Sequence, residues 1–74
     1  MKIRKVAANN RKRSFEVKSS SRTLWFPYAK AVPPPSTRDR VNRVFVDQEL
    51  GGEAFTYVLH SGREGSILAE QVLE

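Results

Sequence analysis

The stretch TLWFPYAKAVPPP, residues 23–35, packs Leu24, Trp25, Phe26, Pro27 and Tyr28 into one run and then breaks into three prolines. It holds the only Trp and three of the seven aromatics. Alternation sends Leu24, Phe26 and Tyr28 to one side and Thr23, Trp25 and Pro27 to the other, the period of a β-strand. A core-facing set and a stacking platform are the two readings of these rings. Leu24, Phe26 and Tyr28 are expected in the core, which leaves Trp25 as the candidate contact residue. Pro27 cannot donate to a ladder, so the strand lies at a sheet edge, or bulges or ends there. The prolines that follow forbid helix and set an extended course across the surface from Ala29 to Arg40. A ligand for an aromatic groove is a second use of such a run.

Before this stretch, Ser14 to Lys18 reads SFEVK, with Phe15 and Val17 on one face and polar residues on the other. The Ser19-Ser20-Ser21-Arg22 segment between the two runs makes them an antiparallel hairpin with a four-residue loop. Further upstream, Lys2 to Ala8 is a strand carrying Ile3 and Val6, closed by a turn at Asn9-Asn10, since Asn tolerates left-handed backbone. Beyond the prolines, Val41 to Asp47 is rich in β-branched residues. Gln48 to Gly52 is a turn, and Glu53 to His60 alternates Phe55, Tyr57 and Leu59 with Ala54, Thr56 and Val58. Ser61-Gly62 marks a tight turn into a return strand over Arg63 to Leu68. From Leu68 the period changes: Leu68, Val72 and Leu73 at i, i+4 and i+5 make LAEQVLE the expected first turns of a helix, capped by Ser66.

Seventy-four residues make one domain, spanning 1–74 here or a piece of a longer chain, with a thin core. The expectation is an α+β chain, mostly β: a single antiparallel sheet or small open barrel of five to six strands with a short C-terminal helix. Its core should be Ile3, Val6, Phe15, Val17, Leu24, Phe26, Val44, Val46, Phe55, Tyr57, Leu59 and Leu68. The absence of cysteine removes disulfides and thiolate ligands. No run approaches the ~18 apolar residues of a membrane span, and the basic start lacks the apolar segment of a secretory signal. A cytoplasmic setting and no membrane partner are expected.

Charge is the strongest global signal. The chain carries +5 overall with a pI of about 10.1. Met1 to Arg43 has twelve Lys or Arg and two acids, a net +10, whereas Val44 to Glu74 has one Arg and six acids, a net −5. Either the halves pair as oppositely charged strands, or the basic half forms a phosphate-binding face. The candidate nucleic-acid-binding residues are Lys2, Arg4, Lys5, Arg11, Lys12, Arg13, Lys18, Arg22 and Trp25. Their alternative duty is to solvate a sheet edge against aggregation. His60, Glu64 and Asp47 come with no nucleophile elbow, paired-histidine motif or phosphate-cradling loop. The chain is therefore read as non-enzymatic, with no catalytic residue, no metal and no cofactor.

LGGEAFTYVLHSGREGSILAEQVLE, together with SFEV and LWFPYAKAVPPP, resembles the amino-terminal part of small uncharacterised bacterial proteins. In these, a β-rich domain precedes a carboxy-terminal helix-turn-helix like those of transcriptional regulators. The resemblance implies a regulatory or accessory β domain or a dimerisation module. Nucleic acid is the expected partner, DNA ahead of RNA. It also implies that the LAEQVLE helix leads toward base-reading helices that this sequence does not contain. The alternative is a protein-interaction or dimerisation module, in which the oppositely charged halves steer a homodimer or another protein partner.

Overall fold

The computed structural model describes residues 1–73, and every strand of it pairs with a sequence neighbour. Strands β1 (Lys5–Asn9), β2 (Ser14–Lys18) and β3 (Thr23–Pro27) form one antiparallel sheet in that order. Strands β4 (Val41–Val46), β5 (Ala54–Leu59) and β6 (Glu64–Leu68) form a second antiparallel sheet, and helix α1 (Ala69–Leu73) ends the described chain. The class is as expected, mostly β with a short C-terminal helix. The strands form neither one continuous sheet nor a closed barrel. The six strands split three and three, because the proline segment after β3 interrupts pairing for more than ten residues.

One apolar cluster joins the two sheets. Phe15, fully buried at the middle of the first sheet, sets its ring 5.1 Å from both Phe55 and Tyr57 of the second sheet and 4.9 Å from Tyr28. Such tilted and edge-on aromatic contacts contribute beyond their buried area. The register explains the inner face: Val6, Val17 and Leu24 lie in one row, and Ala8, Phe15 and Phe26 in the next. Val6, Leu24, Val44 and Val46 are partly buried against this cluster, and Ile3, Phe15, Val17, Phe26, Phe55, Tyr57 and Leu59 are buried, as the alternation predicts.

The return strand differs. Ile67 is buried and Leu68 is 43% exposed. Phe55 faces Ile67, and Ala54 faces Leu68. The side-chain period of two therefore puts Ile67 on the inner face and leaves Leu68 outside. The helix starts one residue later than expected, and Ser66 does not cap it. Ser66 Oγ lies 3.1 Å from Thr56 Oγ1 across the sheet. The Leu68 N–H instead donates to the Gln71 side-chain oxygen at 2.9 Å, the back-reaching half of a capping box. Ala69 and Val72 are the buried positions of α1, and Leu73 is 47% exposed.

β1 begins three residues after the expected start, although Ile3 is still core. The Ile3 N–H donates to the Gly52 carbonyl at 2.7 Å, and the Arg4 N–H to that of Lys18 at 2.7 Å. This docks the amino terminus on the β4–β5 turn. Gly52 has φ +81°, and a Cβ there would lie 3.0 Å from the Ile3 carbonyl oxygen. Only glycine meets both conditions without strain. The β5–β6 connection is longer than a two-residue turn: the Leu59 N–H donates to Arg63 O, and Gly62 takes φ +93° within it.

β3 is an edge strand whose last residue is Pro27, as its missing N–H requires. A 3-10 turn over Tyr28–Lys30 follows. The proline segment does more than cross the surface. Ala31, Pro33 and Pro35 are buried while Val32 and Pro34 are exposed, so it lays one side on the core. The Tyr57 hydroxyl donates to the Pro33 carbonyl at 2.8 Å, and the Val32–Pro33 bond is cis. With two of its three prolines buried, this run does not present the exposed helix that an aromatic groove takes.

Candidate nucleic-acid interface

Strand alternation alone decides which of the basic residues share a face. With Phe15, Val17 and Phe26 turned inward, the outward rows of the first sheet are Lys5, Lys18 and Thr23, then Ala7, Glu16 and Trp25, then Asn9, Ser14 and Pro27. Lys5 and Lys18 are directly opposed. Side chains so placed are ~5 Å apart at Cβ, and like charges there repel. Trp25 is 38% exposed beside this pair.

The β1–β2 turn presents Arg11, Lys12 and Arg13, and its backbone is well held. The Lys12 N–H donates to Asn9 Oδ1 at 3.0 Å, and the Tyr28 hydroxyl to Asn10 Oδ1 at 2.8 Å. The Tyr28 N–H donates to the Arg13 carbonyl at 2.9 Å, with Arg13 at φ 51°. Burial pushes the Tyr28 phenol above its ordinary pKa, which keeps it a neutral donor. From this turn the Lys12 ammonium reaches back over the Trp25 ring, 4.3 Å from its centroid.

At the other end of the strands, Lys2, Arg4, Arg22, Ser19, Ser20, Ser21, Met1 and Leu73 line a shallow open groove. The loop that carries Arg22 is closed by Ser19, whose Oγ accepts from the Arg22 N–H at 3.1 Å while its N–H donates to the Arg22 carbonyl at 2.9 Å. All eight predicted basic residues and Trp25 are exposed. They fall into three groups: Lys5, Lys18, Trp25 and the Lys12 head group on the outward face, Arg11 and Arg13 at one end, and Lys2, Arg4 and Arg22 at the other. Ser14–Lys18 separates the ends by roughly 13 Å of strand, so no single phosphate meets both.

Strands of opposite charge do not pair here. Each ladder joins strands of the same sheet, and residues 1–30 carry nine Lys or Arg against Glu16 alone. The sequence reading missed a second cation–ring contact, Arg43 over Phe45 at 5.5 Å on the exposed side of β4. Its signal was present: with Val44 and Val46 inward, Arg43 and Phe45 must point out. Among the described residues no group of three His, Cys, Asp or Glu is placed to hold a metal ion. No helix among the described residues is long and apolar enough to cross a membrane. Comparison with family models, with curated proteins and with solved structures returned no match.

Proposed function

We propose that this chain is a non-enzymatic nucleic-acid-binding domain of a small transcriptional-regulator-like protein, acting in the cytoplasm through phosphate contacts from its first sheet. The observation that carries the reading is the set of eight exposed cations within residues 2–22, on the strands, turns and leading residues of the first sheet, with Glu16 the one acid among them. Lys5 and Lys18 face each other at a cost that a bound phosphate removes. The resemblance to domains that precede a helix-turn-helix supports DNA as the partner.

Binding to a short DNA strand and to its duplex, measured at low and moderate salt, tests the reading. Affinity should fall steeply as salt rises, because each phosphate contact releases condensed counterions. Absence of binding at low salt, or affinity indifferent to salt, would sink it.

A second reading, a protein-interaction or dimerisation module, draws on the second sheet. Phe45 and Leu68 are 42% and 43% exposed on its outward side. Sedimentation over a range of concentrations separates the two readings: a strict monomer rejects the homodimer.

A further inference from the structure

Trp25 is the large aromatic of the first sheet that the core does not use. Phe15, Phe26, Tyr28, Phe55 and Tyr57 fill the interior, while Trp25 points outward from the middle of edge strand β3. Its ring is covered by the Lys12 ammonium at 4.3 Å. That cover is a long side chain rising from an exposed turn, and an exposed cation–ring contact is weak compared with a base stacked on an aromatic face. Lys18 stands diagonally across on β2, about 8 Å away, and Lys5 lies one strand further, at about 12 Å, both within the reach of long side chains. A base on Trp25 therefore leaves its phosphate within reach of that pair on one side and of Lys12 on the other.

We propose that Trp25 is the base-stacking site for a single-stranded nucleic acid. Lys12 gives up the ring to the base and takes a flanking phosphate, and Lys5 and Lys18 hold the next one. This deepens the nucleic-acid reading and rests on it. The geometry favours a single strand over a duplex because the π-face of a paired base is hidden in the stack. Among the described residues the first sheet is built of short strands, and the α-helix, α1, follows β6 of the second sheet, with five residues too short to read a groove. Glu16, directly opposite Trp25 on the same side, repels a phosphate from that flank of the ring. The position over the indole is thereby left to a base and not to the backbone.

The chain contains one tryptophan, so its own fluorescence reports on the site. The experiment titrates the chain at low salt with three probes of equal length: a DNA single strand, its duplex, and an abasic strand that keeps the phosphates. The single strand should quench Trp25 and bind at least about ten-fold tighter than the abasic strand or the duplex. Trp25→Ala should weaken single-strand binding by about ten- to a hundred-fold and leave the abasic strand nearly unaffected. Lys12→Met, which keeps Trp25, should retain the quench and reduce the salt dependence. Glu16→Gln should tighten single-strand binding. Equal affinity for all three probes, or Trp25→Ala with unchanged single-strand affinity in a folded variant, overturns the stacking site and leaves phosphate binding standing. No binding of any probe overturns the parent reading as well.

Discussion

The Tyr57 hydroxyl donates to the Pro33 carbonyl at 2.8 Å, across a sequence separation of 24 residues. Through it the central strand of the second sheet grips the segment that links the two sheets. Burial of Tyr57 pushes its phenol above the ordinary pKa, so the group remains a donor well into alkaline solution. Pro33 has no N–H of its own, and its carbonyl is a polar group of that buried segment that needs a partner.

Tyr57→Phe keeps the ring that packs on Phe15 and removes only this bond. The expected loss is about 1–2 kcal/mol, the cost of stranding a buried acceptor. Urea unfolding of the two proteins measures it, with an unchanged slope showing that the fold is intact. Equal midpoints would refute the assigned role.

Gly65→Ala should cost more than Tyr57→Phe. A Cβ at position 65 would stand 2.5 Å from the Tyr57 hydroxyl oxygen and 2.6 Å from the Val32 carbonyl oxygen, so strand and linker must separate. Overpacking of this kind costs roughly 1–3 kcal/mol, in addition to weakening the Tyr57–Pro33 bond. Thermal melting of the single and double variants gives the comparison. The double variant should recover little, because the Val32 carbonyl still blocks the methyl.

Ile67→Ala and Leu68→Ala, neighbours in β6, should behave oppositely. The first empties a buried site and should cost about 2–5 kcal/mol. The second trims a side chain that is 43% exposed and should stay within about 0.5 kcal/mol of the parent. A reversed order in denaturant midpoints would mean that the strand register is off by one.

That one-residue step marks where sequence reading reached its limit. The hairpins, the edge position of β3 and the outward Trp25 were legible because alternation is strict in SFEVK, TLWFP and AFTYVL. In EGSIL, glycine and serine give no apolar partner at the second position, so the face of Ile67 against Leu68 is undetermined until Phe55 is found opposite. The split into two sheets was not legible, because nothing in the proline run says that it packs inward. Pro33 and Pro35 are buried in the folded chain, and the Pro33 carbonyl is held by Tyr57, a residue distant in sequence. Of the candidate site, residue types and exposure were readable. The division of the cations between the two ends and the face was not, since it depends on the pairing of Lys5 with Lys18 and on the docking of Ile3 at Gly52.

Asp39 makes one contact pH-dependent. Its carboxylate accepts from the Ser61 hydroxyl at 2.7 Å and from the Ser61 N–H at 2.9 Å, and these bonds hold its pKa below the ordinary aspartate value. A depressed folded pKa stabilises the fold above the unfolded pKa, and that contribution is lost as pH falls through the lower folded value. Acidification through the carboxylate range should therefore loosen the β5–β6 turn from the linker. The Ser61 amide, followed by NMR, should titrate with a midpoint below that of a free aspartate. In Asp39→Asn that titration should disappear.

Lys5→Gln/Lys18→Gln should relieve the repulsion within the first sheet and leave stability equal or slightly raised. On a single strand the slope of log affinity against log salt should become shallower by about 0.7, since the two lysines share one phosphate. An unchanged slope would exclude both residues from the phosphate path.

Among the described residues every ladder joins strands adjacent in sequence, and this bears on how the chain assembles. Each three-stranded meander can zip from its own turns with little loop-closure entropy. The one distant step is the docking of the finished meanders, ring against ring, where Phe15 meets Phe55 and Tyr57. Residues 1–37 carry nine Lys or Arg against one acid, and residues 38–74 four Arg against seven acids. The two preformed pieces thus approach under mutual attraction. The same charge asymmetry that underlies the proposed anionic partner also guides the first sheet onto its own other half.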